Sequence, residues 1–241
     1  MIRRCVEYED HDAPMSRVEV PTLGVALILS FGPTMRVDGE TVSSFLVGMW
    51  DKPALTEHDG DAHGIQIDLA PVVAYALVGG RMDELTNRVV DVGELDLLNL
   101  DRLLESGAAA AADELATAVS LGPSVSREVN WVYAQLQLQP STRIAALADE
   151  IGWSRSHLVD RFRREVGLTP KRFARVARFR SAIDRMATGA GSLAQVAAES
   201  GYADQPHFNR DVRDLAGCTP GELLAEIRPR PDDQDALTLI A

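Results

Sequence analysis

The chain has 241 residues, 46% of them hydrophobic, and a formal net charge of -12. This length allows one large domain or two modest ones, each with a packed core. The longest apolar run, residues 25–29, is too short to span a membrane, and the first residues lack a signal-peptide pattern. Cys5 and Cys218 form neither a disulfide framework nor a zinc motif. We therefore expect a cytoplasmic protein without membrane contact.

The first part of the chain predicts strands followed by helices. Apolar runs at residues 25–29, 45–49 and 64–69 are typical of buried strands, and Gly, Pro and Asp mark turns between them. This spacing predicts a small barrel or sandwich, of which we expect the small β-barrel. Helical patterns then follow at residues 70–78, 95–104, 108–119 and 126–138. The fold class expected for the whole chain is α+β, with an all-α part after the barrel.

Charge divides the chain into unequal parts. Residues 1–139 carry a net -13, residues 140–230 a net +4, and residues 155–180 alone a net +7. Such an asymmetry is typical of a chain in which one half binds a polyanion. Pro140 interrupts the helical patterns, so we predict domains at 1–139 and 140–228. The acidic segment 229–241 is predicted to be a disordered tail.

An internal repeat occupies the C-terminal part. Ala148 and Gly152 recur as Ala197 and Gly201 at an offset of 49, and Gly167 recurs as Gly217 at an offset of 50. Each copy predicts an apolar helix, a glycine turn, a capping Ser or Asp, and a second helix with a polar face. This order is that of a helix-turn-helix unit.

A long helix is predicted between the copies, over residues 171–187. This helix is roughly 25 Å long. It could hold the second helices of the two units, here called the reading helices, at a separation close to the roughly 34 Å of one DNA turn. Arginines at 172, 175, 178 and 180 occupy its polar sides.

Residues about 140–226 resemble the DNA-binding domain of the AraC/XylS family of bacterial regulators. The matching residues are Leu147-Ala148, Gly152-Trp153-Ser154, His157-Leu158, Arg161-Phe162, Arg178-Phe179, Val196-Ala197, Gly201-Tyr202, Asp204-Gln205, His207-Phe208, Gly217, Thr219 and Pro220. Residues 85–90 (Leu-Thr-Asn-Arg-Val-Val) are similar to the sensor-like domain of some actinobacterial members. The resemblance implies a sequence-specific regulator of transcription initiation that binds double-stranded promoter DNA and meets RNA polymerase.

The resemblance places base contacts on the second helix of each unit. In the first unit these would come from Ser156, Val159 and Asp160, with Arg155, Arg163 and Arg164 reaching phosphates. Asp160 has two interpretations of equal weight, as an acceptor for cytosine N4 or as an ion-pair partner of Arg164 one turn away.

In the second unit the resemblance implies readers at Gln205, His207, Asn209 and Arg210, with Arg213 toward the backbone. Residues 181–230 carry a net -2, with Asp211 and Asp214 in the reading helix itself. Phosphate neutralisation dominates DNA affinity, so we predict that the first unit supplies most of the affinity and the second mainly discriminates.

Other sites carry weaker signals. His157 and His207 are expected to buttress helices rather than bind metal. Residues 57–63 gather potential metal ligands around a turn, but we expect them to form a solvated hairpin loop. No spacing specifies a catalytic site, and no cofactor is expected. We expect residues 1–139 to bind a small-molecule effector or to form a homodimer. The alternative is a metabolite-binding protein or enzyme whose helical domain mediates protein contacts.

Overall fold

The computed structural model describes residues 2–10, 14–95, 107–189 and 191–227. Nine strands lie in the first of these stretches and the next: β1 Ile2–Asp10, β2 Met15–Glu19, β3 Val25–Ser30, β4 Met35–Val37, β5 Glu40–Val42, β6 Phe45–Val47, β7 Ala54–His58, β8 Ala62–Leu69 and β9 Val89–Asp91. The helices, numbered among the described residues, are α1 Pro71–Leu77, α2 Gly107–Leu121, α3 Arg127–Leu138, α4 Ile144–Glu150, α5 Arg155–Val166, α6 Pro170–Ala187, α7 Leu193–Glu199, α8 Gln205–Ala216 and α9 Pro220–Ile227. Two short 3-10 helices lie at Met82–Leu85 and Val92–Glu94.

The α+β class is confirmed, but the predicted small β-barrel is wrong. The strands form two separate antiparallel sheets, of order β1-β8-β3-β6-β9 and β2-β7-β4-β5. The apolar runs indicated where strands lie, but their spacing could not reveal that β1 pairs with β8, about sixty residues away. Side chains of Met35, Phe45, Ala54 and Val89 fill the space between the sheets.

The large core is continuous from the first sheet into the C-terminal helices. It contains strand residues such as Leu27 and Ile67, helix α1, and residues of α5 and α6 such as Phe162 and Phe173. Helix α3 packs against both α5 and α6, and helix α1 and the 3-10 helix Met82–Leu85 pack against α5. The strand-rich part and the repeat are therefore in direct contact.

Most predicted helices are present. The patterns at 70–78, 108–119, 126–138 and 171–187 correspond to α1, α2, α3 and α6 within one or two residues at most ends. The predicted helix 95–104 and tail 229–241 lie outside the described residues, apart from Leu95. None of the helices in the described part of the chain is long and apolar enough to cross a membrane.

Candidate nucleic-acid interface

The first unit of the repeat has the predicted local structure. Helix α4 ends at Glu150, and the turn after it contains Gly152, whose φ of 71° is the left-handed conformation that glycine adopts without strain. The Ser154 side chain then accepts a hydrogen bond from the His157 amide at 3.2 Å and caps α5. Leu158 and Phe162 are fully buried. The opposite face of α5 must therefore point outward.

The second unit repeats this arrangement. Gly201 has a φ of 82°, and the Asp204 side chain accepts from the His207 amide at 2.6 Å to cap α8. Phe208 and Val212 are fully buried and take the places of Leu158 and Phe162. Both second helices thus pack through apolar residues and leave their polar faces free for another macromolecule.

The predicted DNA-contacting side chains lie on these outward faces. In α5 the exposed ones are Arg155, Ser156, Asp160, Arg163 and Arg164, and Val159 is half-buried. In α8 the exposed ones are Gln205, Arg210 and Arg213, and His207 and Asn209 are half-buried. The geometry therefore leaves all eleven residues at or near the surface of the two helices.

The structure divides the basic stretch 155–180 into free and paired cations. Among the described residues, none forms an ion pair or hydrogen bond with the side chains of Arg155, Arg163, Arg164 or Lys171, which are all exposed. Ion pairs instead occupy four other cations of the stretch: Arg161 with Glu165, Arg172 with Asp51, Arg175 with Asp211 and Asp214, and Arg180 with Asp184. Arg178 lies over the ring of Tyr202. The formal charge of +7 therefore overstates the charge offered to a polyanion.

The two acids of α8 have a structural role that the sequence did not reveal. Arg175 donates to Asp211 at 2.8 Å and to Asp214 at 2.6 Å, which ties α6 to α8. Burial lowers the pKa of Arg175, but the hydrogen bonds and charges of Asp211 and Asp214 outweigh burial and raise the pKa above its ordinary value. Asp211 and Asp214 thus share one guanidinium, which offsets only one of their two negative charges. No local sequence signal marks partners 36 and 39 residues apart.

A second buried acid holds the first unit to the preceding helix. Glu165 has no exposed surface, accepts from the amide and hydroxyl of Ser126 at 2.8 Å, and pairs with Arg161 at 2.5 Å. A buried carboxylate needs such partners because burial without them costs several kcal/mol. This cluster joins the start of α3 to the end of α5.

Two alternatives from the sequence can be compared with the geometry. His157 packs edge-on against Trp153 at 4.5 Å between ring centroids, and His207 against Tyr202 at 5.1 Å, as expected of buttressing residues. Among the residues that the structure describes, no ion pair joins Asp160 to Arg164, which leaves the Asp160 carboxylate free to accept a hydrogen bond.

Surface clefts lie on the strand-rich part of the molecule. One of about 430 Å³ is bounded by the end of α1, the 3-10 helix Met82–Leu85 and the end of α2. Its lining is Leu77, Val78, Gly79, Arg81, Glu84, Leu85, Val90, Glu94, Leu95, Leu121, Gly122 and Pro123. A smaller one of about 320 Å³ includes Arg36, Glu57, His58 and Asp59. No three His, Cys, Asp or Glu side chains of the described residues converge as metal ligands would.

Comparison with known proteins gives matches of two kinds. A helix-turn-helix domain family matches residues 147–226. Among solved structures, ToxT from Vibrio cholerae has a TM-score of 0.55 at 12% identity, covering 92% of this chain and 97% of that chain. ToxT bound to (E)-4-(8-methylnaphthalen-1-yl)but-3-enoic acid has a TM-score of 0.52 at 12% identity, with 93% and 98% covered.

A probable AraC family transcriptional regulator from Rhodopseudomonas palustris is 29% identical over 43% of this chain and 100% of that chain, with a TM-score of 0.39. No curated protein sequence matches the chain. The ToxT comparison shows the fold of nearly the whole chain, and the family match locates the repeat within it. Residues 147–226 therefore form a helix-turn-helix domain, within a chain whose overall fold is similar to that of ToxT.

Proposed function

We propose that this protein is a transcription regulator that binds specific DNA sequences through both helix-turn-helix units. The observation that carries the proposal is the pair of capped helices α5 and α8, each packed by buried apolar residues and each presenting a polar face to solvent. Second helices of this kind enter the major groove, where base edges carry a distinct pattern of donors and acceptors.

The side chains divide by chemistry into phosphate contacts and base readers. Arg155, Arg163 and Arg164 are exposed cations whose side chains pair with none of the described residues, which leaves them available to contact phosphates. Ser156, Val159 and Asp160 are the readers of the first unit. In the second unit Gln205 and Asn209 suit adenine and Arg210 suits guanine, with His207 beside them and Arg213 toward the backbone.

Selection of bound fragments from random double-stranded DNA tests this proposal. We expect the purified chain to enrich a bipartite sequence and to bind it with nanomolar affinity that weakens as salt rises. Asn209→Ala should relax the preference at one position of the enriched site, whereas Arg163→Ala should weaken binding to all sequences alike. Glu19→Gln, on strand β2, is a control that should change neither. Enrichment of no sequence would contradict the proposal.

We further propose that residues 1–139 act on the DNA-binding part, residues 140–228, in response to a small molecule in the 430 Å³ cleft. Its volume is within the range of ligand sites, and most of its lining is apolar. At the rim Arg81 is already paired with Asp83 and Glu84, and Glu94 adds a further negative charge. The cleft therefore favours a neutral or cationic apolar ligand over a carboxylic acid.

Thermal unfolding in the presence of small aromatic probes tests the effector proposal. The naphthalene-butenoic acid bound by ToxT, its neutral amide and the corresponding amine form a matched series. We expect the amide or amine, but not the acid, to raise the unfolding temperature, and Leu121→Asp to abolish that rise. No shift with any member, or an equal shift in the variant, would argue against this cleft. A homodimer, RNA polymerase as partner and a cytoplasmic location are the accompanying proposals for a regulator of this type.

A further inference from the structure

Residues 86–88, which the proposed function does not use, lie beside the loop that follows strand β6. The Asn87 amide donates to the Met49 carbonyl at 3.0 Å, and the Gly48 amide to the Arg88 carbonyl at 3.1 Å. A Cβ on Gly48 would collide with the Leu85 carbonyl oxygen, so the two stretches approach too closely for any other residue. We call residues 48–53 and 85–88 together the bracket.

The bracket holds one carboxylate in a fixed orientation. Asn87, in the left-handed region at φ 55°, donates its side-chain amide to Asp51 and accepts from the Asp51 backbone amide, both at 3.0 Å. Asp51 in turn receives two hydrogen bonds from the guanidinium of Arg172, at the start of α6. Only 9% of the Asp51 side chain is exposed, and a bidentate pair of this kind restricts orientation as well as distance.

The bracket also contacts the end of the first reading helix. Gly167 ends α5, and its carbonyl accepts a hydrogen bond from the Thr86 hydroxyl. A Cβ on Gly167 would lie 3.1 Å from the Met49 side chain. The C-terminus of α5 therefore packs directly against the strand-rich part of the protein.

The equivalent glycine of the second unit lies near the same loop. Gly217 ends α8 as Gly167 ends α5, and the Pro53 ring is 3.8 Å from where its Cβ would be. The bracket thus contacts the end of α5 and the start of α6, and it lies close to the end of α8. Contacts at two elements and proximity to a third leave little room for the two units to rotate about the connecting helix.

We infer that the bracket sets the relative orientation of the two reading helices, and thereby the spacing between half-sites that the protein accepts on DNA. This inference rests on the proposed DNA binding. Asp51 and Asn87 are positioning residues, since they act on DNA recognition only through Arg172 and the helix ends. Without the Asp51–Arg172 pair each unit should still bind DNA, while the geometry between the two units relaxes.

The test uses the full chain and the selected bipartite DNA site in three forms: the selected spacing, the spacing lengthened by two base pairs, and one half-site alone. The variants are Asp51→Asn, Arg172→Gln and the double variant, and Glu19→Gln is a control that also removes one acid from a surface ion pair. Fluorescence anisotropy gives the affinity for each DNA, and thermal unfolding checks that every variant is folded.

We expect the ratio of affinities between selected and lengthened spacing to fall about tenfold in Asp51→Asn and in Arg172→Gln, within the range of coupling inside one contact network. The double variant should show no greater loss than either single one, because both act through the same pair. Affinity for the half-site should stay within about twofold of the wild type, as should every value for Glu19→Gln.

Two results would overturn the inference. The first is an unchanged spacing ratio in folded Asp51→Asn and Arg172→Gln. The second is an equal loss of affinity for all three DNAs, which would mean that the pair supports the fold or the DNA contact without setting spacing. Failure of the wild type to bind any of the DNAs would refute the proposed function itself, and is distinguished from these results by the wild-type measurement alone.

Discussion

Arg163→Ala should make DNA binding measurably less sensitive to salt. Arg163 lies on the outward face of α5, is exposed, and has no ion-pair partner among the described residues. On binding it would neutralise one phosphate and release the counterion condensed there. Its removal should therefore change both the affinity and the slope of log K against log salt concentration.

The magnitude follows from the removal of a single phosphate contact. One such contact contributes about 0.9 to the slope on duplex DNA, so the slope should become shallower by about 0.9. When salt rises fourfold, from about 50 to 200 mM, affinity falls in both proteins, and the fold-loss in the variant should be about 3.5 times smaller than the fold-loss in the wild type. The same change is expected for Arg155→Ala and Arg164→Ala if each meets its own phosphate.

Partnered arginines provide the matched control. Arg185 pairs with Glu199 at 2.5 Å, so its removal takes away the same formal charge without a free cation. Titration of affinity against salt for Arg163→Ala, Arg185→Ala and Arg213→Ala separates the cases. We expect a shallower slope for Arg163→Ala, a smaller change for Arg213→Ala in the second unit, and none for Arg185→Ala. Equal salt slopes for Arg163→Ala and Arg185→Ala would refute the division into free and paired cations. Equal changes of slope in Arg163→Ala and Arg213→Ala would refute the unequal roles of the two units.

Three further predictions concern stability. Glu165→Ala should lower the free energy of unfolding by about 3 kcal/mol in urea titration, because Arg161 and Ser126 lose a fully buried partner; a loss below about 1 kcal/mol would contradict that role. Gly167→Ala should cost about 2 kcal/mol, and Gly152→Ala only about 1 kcal/mol, since both have positive φ but only the first also meets Met49; equal losses would exclude that contact. Burial raises the pKa of Tyr202, so the unfolded chain loses this proton first and stability falls as pH rises above about 10. Tyr202→Phe should reduce that alkaline loss. It should also leave stability at neutral pH equal or higher, because none of the described residues forms a hydrogen bond with the buried hydroxyl; an unchanged alkaline profile in thermal unfolding would contradict the prediction.

The sequence predicted the DNA-binding part in more detail than the strand-rich part. Ser154 and Asp204 as helix caps, and Gly152 and Gly201 as turns, were all predicted and are all observed. Each of these features depends on atoms within about four residues along the chain, so a local pattern carries it. The strands beyond the three apolar runs were not predicted. Strands β4 and β5 have three residues each, too few for an alternating pattern, whereas the nine residues of β1 include five charged ones and therefore form no apolar run.

The sequence by itself determined the α+β class, the repeat, the two capped helices and which of their faces is polar. Only the tertiary structure decided that the strands form two sheets and which cations are free to meet DNA. The partners of Arg172 and Arg175 lie 121, 36 and 39 residues away in the chain, and the separation between α5 and α8 depends on contacts of the same range. Charge and periodicity are properties of neighbouring residues, whereas pairing at such distances depends on how the whole chain packs.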